Sequence, residues 1–433
     1  MVFLTIVKAQ EKMNYLEADK QSYELFQEKK WPELIKFSSE VRKQGIDFFY
    51  LQVRTGIAWY NQGKYQNAAN WFLKAYENDQ SLDWLQEYVY YSLIFSGRSV
   101  EAIKYASAFS QSVKKKINFK DIGVTHLFYE SGYSYNPEFE TLKSRAFKDE
   151  VNLGSDYGEA YFQKNYTFHS FDLSQRIAPN LTLNHNINYI GVNREAVVDW
   201  AGQTNSPIMI NQFQYFINPV FLLGKKLNVS SSLNIIAGNR DVYVGVLNNN
   251  LSKSFTLSKT NYADITLSTA IWSNFGSFSP GLEINLASIN DSKFIQMSSW
   301  VTFYPLANTK LYFTPRAYFK TGTDNTGIEL NTMGISGGFQ MGKIGFYGYY
   351  LVGNMENFIE SVGYIISNFP GKSDRKIMGS INFPISKKNY LVFRYINQNI
   401  IETYQVYTDG YKSNALEYNY LKYTITGGIS WNF

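Results

Sequence analysis

Cysteine does not occur in this chain, so disulfide frameworks, thiolate metal sites and cysteine nucleophiles are excluded. Long apolar runs are missing too. No stretch approaches the roughly 18 consecutive apolar residues of a membrane helix, and the mean hydropathy is −0.28. Any crossing of a bilayer must therefore use alternating strands, which average out in a hydropathy profile. No run of five or more Lys and Arg occurs, and the densest basic cluster is Lys114, Lys115 and Lys116. With 41 basic against 36 acidic residues, the footprint of a nucleic-acid binder is lacking. No Gly-rich phosphate loop precedes a helix, EF-hand and zinc spacings are absent, and Gly334, Gly337 and Gly338 fall within a strand pattern. No cofactor or metal is expected.

Aromatic residues are abundant, with 35 Tyr and 32 Phe, as suits the girdles of a membrane barrel. At 433 residues the chain has room for more than one domain. Residues 1–9, MVFLTIVKA, read as a partial signal-peptide-like segment whose basic start is missing. Residues 10–117 carry apolar positions at three- and four-residue spacing, which predicts helices, and from about residue 118 the period becomes two. The α-to-β change marks the domain boundary, so the fold class is α + β multidomain.

Within the helical part, Gly56, Trp59, Gly63, Tyr65, Ala68, Phe72 and Ala75 follow a pattern of small residues and aromatics. A shift of 34 residues retains Gly97 and Ala102 in one direction and Trp31 and Leu34 in the other, which predicts a three-unit solenoid over 15–115. Tyr60, Tyr65, Tyr76, Tyr88 and Tyr90 would either line its groove or pack between repeats.

In the second part the last segment alternates most cleanly. Leu421, Tyr423, Ile425, Gly427, Ile429, Trp431 and Phe433 share one face, and Lys422, Thr424, Thr426, Gly428, Ser430 and Asn432 the other. A strand with lipid outside and water inside needs this pattern. Residues 310–320, 377–383 and 391–396 alternate likewise, with Pro315 a misfit that requires a bulge or altered pairing. Short turns are predicted near 178–180, 224–226, 274–276, 305–308, 342–343 and 386–389, and long polar connections at 133–157, 194–205, 238–260, 321–326, 368–374 and 403–415. This asymmetry gives an antiparallel transmembrane β-barrel of about 14 strands (12–16) over 118–433, with its short turns periplasmic.

Chemistry has few footholds. The three histidines, His126, His169 and His185, are expected to be ordinary wall residues. His169 and Ser170 are adjacent, hence on opposite faces, and cannot form a hydrolase pair. No catalytic residue is expected, and the chain is read as a non-enzyme. Lys310, Arg316, Lys320, Arg394 and Lys422 are candidate lumen charges. They would either make the lumen attractive to anions or pair with inward carboxylates such as Glu283 or Glu329.

The final strand, through Tyr423, Ile425, Ile429, Trp431 and Phe433, resembles the C-terminal signal read by the barrel assembly machinery. Joined to tetratricopeptide-like repeats, it resembles exopolysaccharide-export porins and the smaller barrel proteins of the YaiO type. The resemblance implies an outer-membrane barrel in contact with lipid, with its helical domain in the periplasm. That domain would bind a periplasmic protein or exported cargo, with polysaccharide one such cargo, in export, secretion or envelope assembly. A non-conducting scaffold is the alternative, and an outer-membrane hydrolase a third.

Overall fold

The computed structural model describes residues 13–151, 157–199, 203–247, 249, 253–321, 328–369, 371–408 and 411–433; the predicted leader, 1–9, lies outside them. The chain divides into two units, the first comprising residues 1–120 with the short segments 274–277 and 304–309.

The first unit holds seven helices among its described residues: α1 Tyr15–Gln27, α2 Trp31–Lys43, α3 Phe49–Asn61, α4 Tyr65–Asn78, α5 Asp83–Phe95, α6 Ser99–Ser107 and α7 Gln111–Lys116. The starts of α1, α3 and α5 are spaced by 34 residues, and so are those of α2, α4 and α6. The turns within the three pairs use left-handed backbone at Lys29, Gly63 and Gly97, again 34 apart. The Asn14 side chain accepts from the Glu17 N–H at 2.9 Å while the Asn14 N–H donates to the Glu17 carboxylate at 3.3 Å, a capping box that starts α1. Small residues allow close packing in the middle pair. A Cβ added at Gly56 would lie 2.6 Å from the Phe72 ring, and Ala68, Phe72 and Ala75 are fully buried. The first pair departs from this scheme: Ser38 stands 34 residues before Phe72, and its hydroxyl accepts from that of Thr55 at 2.7 Å.

The second unit is a closed antiparallel barrel. Its elements in chain order are β1 Gly123–Tyr135, α8 Phe139–Val151, β2 Tyr157–Ala178, β3 Leu181–Asp199, β4 Gln203–Leu223, β5 Leu227–Leu247, β6 Lys253–Trp272, β7 Phe278–Ile289, β8 Ser292–Phe303, β9 Leu311–Thr321, β10 Ile328–Met341, β11 Ile344–Gly353, β12 Phe358–Glu360, β13 Ile365–Ser367, β14 Lys372–Pro384, β15 Asn389–Thr408 and β16 Tyr411–Asn432. Fourteen strands form the wall, with β1 bonded to β16; β12 and β13 make a separate two-stranded sheet. Strand faces separate cleanly. On β6 and β7, Ile265, Leu267, Ile271, Leu282, Ile284 and Leu286 are exposed outward, while Asp264, Thr266, Ser268, Glu283 and Asn285 are buried inward. The apolar outer face continues through Met333 and Ile335 on β10, Ile377 on β14, Phe393 on β15 and Ile425 on β16. So broad a band exceeds what water-exposed surfaces carry, and it is the surface a bilayer covers.

Prolines are absorbed as strand chemistry requires. The β8–β9 ladder has partners at Trp300↔Arg316 and Phe303↔Phe313 but none at Pro315, which has no N–H to give. Beside Pro219 in β4, the Asn218 side-chain amide supplies bonds instead, to Ser230 Oγ at 2.8 Å and Ser231 O at 2.5 Å.

The long connections differ from expectation. Segment 133–157 contains α8, packed on β2, β15 and β16 through Phe139, Leu142 and Ala146. Much of 194–205, 238–260 and 403–415 is strand, since β2 to β6, β15 and β16 run 19–22 residues, about twice what a bilayer crossing takes. Polar residues on both faces of these extensions read as loop, since a strand that runs past the roughly 10 residues of a bilayer crossing need not alternate. At that end β15 also pairs with β2, Gln405↔Glu159 to Tyr407↔Tyr157. The predicted connection at 368–374 is divided between the end of a longer insert, 354–371, that carries β12 and β13, and the start of β14.

Gly56→Ala is expected to destabilise the helical unit by about 1–3 kcal/mol through overpacking against Phe72, even though alanine is the better helix former. Gly63→Ala, with open space but a φ of +70°, should cost roughly 1 kcal/mol. The midpoint of the helical circular-dichroism transition of the full chain checks both.

Candidate functional site

The insert between β11 and β14 folds back into the barrel. Phe358, Ile359 and Ile366 are buried. Ile359 and Ile366 pack with Ile236, Ile289 and Phe294 of the wall, and Phe358 with Tyr318, Leu351 and Met355. The turn between its strands holds Ser361, Val362 and Gly363 at φ of +55°, +57° and +79°. For a β-branched residue such as Val362 this backbone costs about 1–2 kcal/mol. Wall side chains offset it at the tip, where Ser232 Oγ donates to Val362 O and Asn234 Nδ2 to Gly363 O at 2.8 Å.

More pins fix the rest of the insert. Gln296 serves both backbone groups of Ile359, donating to its O at 2.6 Å and accepting from its N–H at 3.2 Å. Asn290 Nδ2 reaches Asn357 Oδ1 at 2.8 Å and Asn368 O at 2.6 Å. Asn368 Nδ2 donates to Asp264 Oδ2 at 2.9 Å and to Gln212 Oε1 at 2.8 Å. Tyr364 O–H donates to Asp172 Oδ1 at 2.8 Å, and its ring meets Phe216 edge-on at 5.3 Å. Lys376 Nζ lies 2.6 Å from Glu360 Oε1, both side chains being buried. Each such bond contributes about 1 kcal/mol net, more where charged.

The candidate lumen charges have different fates. Arg316 Nη1 is 3.1 Å from Glu283 Oε2, and its guanidinium lies 4.2 Å over the Trp300 ring. Lys320 donates to the Glu356 and Asn357 carbonyls of the insert at 2.8 and 3.3 Å. Arg394 pairs with Glu130, which also accepts from Thr426. Lys422 is 7% exposed, with its ammonium 5.3 Å over the Tyr166 ring. Lys310 precedes β9 and is exposed, and Glu329 is exposed on β10, so neither joins the buried lining. Arg194–Glu402, at 3.0 Å and buried, was not singled out from the sequence: residues 208 apart meet only once strand register is known.

Between insert and wall lies a cavity of about 590 Å³, bordered by Tyr166, Tyr349, Tyr364, Gln163, Gln398 and Lys422. Besides the insert, its lining comes from β1 to β4, β9, β11 and β14 to β16.

The remaining predicted residues stand elsewhere. Tyr423, Ile425, Ile429 and Trp431 lie on the outer face of β16, Tyr423 in ring contact with Tyr135 and Tyr395 at 5.6 and 6.1 Å; the Phe433 N–H donates to Thr125 O at 3.0 Å. His126 faces Ser430, His169 meets Tyr129 and His185 meets Tyr215, so the three do not converge. In the helical unit, Tyr60 contacts Tyr65, Phe72 and Tyr88 at 5.0, 6.4 and 5.1 Å, and Tyr76 contacts Tyr105 and Phe109. Burial, with Tyr65 and Tyr88 beside it, pushes the Tyr60 hydroxyl up to about 12. Tyr65 of α4 touches Phe95 of α5, while Tyr90 touches its neighbour Tyr91 within α5 and packs at the edge of the helical core.

Lys376→Met, which strands the buried Glu360 carboxylate, should cost about 3–5 kcal/mol and free the insert. Adding Glu360→Leu should recover most of that loss. Denaturant midpoints, with protease cleavage inside 354–371, read both effects; equal losses in single and double variants would mean that the pair does not hold the insert.

No protein-family model and no curated protein matches the chain. Among solved structures it is similar to the toluene transporter TodX of P. putida, at 6% identity and a TM-score of 0.43, with 76% of this chain and 94% of that one covered. It is similar to a FadL homologue of Pseudomonas aeruginosa, at 7% identity and 0.42, covering 76% and 94%. It is also similar to the toluene transporter TbuX of Ralstonia pickettii, at 8% identity and 0.43, covering 72% and 90%. At this distance they bring no substrate, residue role or mechanism to the chain.

Proposed function

We propose that the chain is an outer-membrane barrel that carries a small solute through a lumen closed at rest by its own insert. The observation that carries this reading is the cavity of about 590 Å³ left between insert and wall. The pins around it are largely hydrogen bonds, which water can replace when the insert shifts. The continuous apolar exterior supports a place in lipid. Both ends of the barrel chain, at Gly123 and Asn432, lie on the short-turn side, which supports reading the preceding helices as periplasmic.

The 34-residue helix pairs are read as tetratricopeptide-like and as a site for a periplasmic protein partner, with the barrel assembly machinery inserting the final strand. A folded insert across the lumen disfavours continuous passage of a polymer, so a small solute is preferred to a polysaccharide. The protein is read as a carrier rather than an enzyme. The second reading, a non-conducting scaffold, is favoured by the buried Lys376–Glu360 pair that fastens the insert.

Expressed with a complete signal peptide, the chain should fractionate with the outer membrane and migrate differently with and without boiling. In planar bilayers the wild type should pass small, intermittent currents, and replacement of 356–369 by a short Gly-Ser linker should give a larger steady conductance. No current from either protein would favour the scaffold, and a soluble, heat-insensitive chain would sink the membrane reading.

A further inference from the structure

Among the described residues near the cavity, three buried or half-buried cations sit in ion pairs and a fourth does not. Around the cavity, Arg394 is matched by Glu130, Lys376 by Glu360 and Arg194 by Glu402. Lys422 projects from β16 into the same cavity, 7% exposed. Among the described residues, the charged groups close enough to act on it are Lys376, Glu402 and Arg194. Both cations add repulsion, and Glu402 is already engaged by Arg194 at 3.0 Å and by the Tyr420 hydroxyl at 3.4 Å. Three cations thus face two carboxylates. A buried ammonium without a counter-charge is costly, and the cost is removed by an anion that enters beside it. Its other contact is the face of Tyr166, and the cavity wall adds Phe168, Tyr347 and Tyr349 together with the amides Gln163 and Gln398. Rings to stack on, amides to bond hydroxyls and one cation to take a charge define a complementary guest.

We propose that this cavity binds a small organic monoanion, a carboxylate on a hydroxylated ring, with the carboxylate on Lys422 and the ring against the tyrosines. Acidic sugars and hydroxylated aromatic acids share this chemistry. The inference gives the transport reading a substrate class and rests on it for its role in the cell, but binding is read on purified protein independently of any current.

The test titrates the full chain in non-ionic detergent with glucuronate and with 4-hydroxybenzoate, each beside its neutral counterpart, glucose or 4-hydroxybenzyl alcohol, by calorimetry. At least one acid should bind saturably, and its neutral counterpart much more weakly. Lys422→Met should lower the affinity about tenfold to a hundredfold, the worth of a charged hydrogen bond, and Lys422→Arg should keep most of it. Without ligand, Lys422→Met should unfold at the same temperature as the wild type or higher, because it removes an unmatched charge. The proposal is overturned if neither acid binds the folded wild type, if the neutral counterparts bind as well, or if Lys422→Met binds undiminished. Loss of the folded, heat-modifiable form in Lys422→Met would overturn it too, by showing Lys422 to be a structural partner. Absent binding leaves the conductance result standing, and absent current leaves binding to be judged alone.

Discussion

An open sheet leaves two edges of unpaired N–H and C=O groups, and in a medium without water those groups have no other partner. Here ten residue pairs between β1 and β16, from His126↔Asn432 to Tyr135↔Tyr423, remove both edges. Closure also settles the direction of the side chains. Once the ladder runs full circle, successive residues alternate between an outer surface and a lumen, and a one-residue slip at any seam would turn a whole strand inside out. Leu282, Ile284 and Leu286 outside against Glu283 and Asn285 inside show how steep the contrast is across a single strand.

The constraint carries over to the lumen. A wall that alternates delivers polar groups inward whether or not water can reach them, and polar groups shut away from water must find partners. The insert supplies many of them, since Gln296, Asn234, Lys320 and Asn290 all bond its backbone carbonyls. Such bonds are directional and fix the insert at one register more than they bind it tightly. The buried Lys376–Glu360 pair works in the same sense: an ion pair in the interior adds little net stability over an apolar equivalent, while a misplaced insert would leave two charges unmatched.

Some of this was legible in the sequence and some was not, for a physical reason. The faces of β16, the strand count, the helix pairs and the trouble at Pro315 are local properties, set by period, turn chemistry or a missing N–H, and local properties can be read from neighbouring residues. The partners of Arg316, Arg394 and Arg194 depend on register between distant strands. Thus Glu283 and Glu329 looked equivalent as partners, yet it is Glu283 that pairs with Arg316, while Glu329 stands opposite Lys320 and is exposed. The insert was missed because Phe358, Ile359 and Ile366 form runs of two or three residues, too short for either period to show. Its burial comes from the wall around it, not from its own pattern. The helix α8 was hidden by charge: its sequence FETLKSRAFKDEV reads as polar connection until Phe139, Leu142 and Ala146 are seen to meet β2 and β16.

The excess of tyrosine follows from these demands. A ring with a hydroxyl fills volume like phenylalanine and still closes a polar network. In the lumen, the Tyr364 hydroxyl bonds Asp172, that of Tyr166 is hydrogen-bonded to the Thr424 hydroxyl at 3.1 Å, and that of Tyr262 bonds Gln212 at 2.8 Å. Phenylalanine in those places would leave Asp172 and Gln212 each short of a donor. In the helical unit the balance is different. Phe72 is fully buried against Tyr88 with ring centroids 4.9 Å apart, whereas Tyr60 in the same stack is only partly buried. In the lumen, then, tyrosine stands where a packed position also has a hydrogen bond to satisfy. A lumen rich in tyrosine is one that is filled and polar at once, which is the condition for a closed interior that can still receive a polar guest.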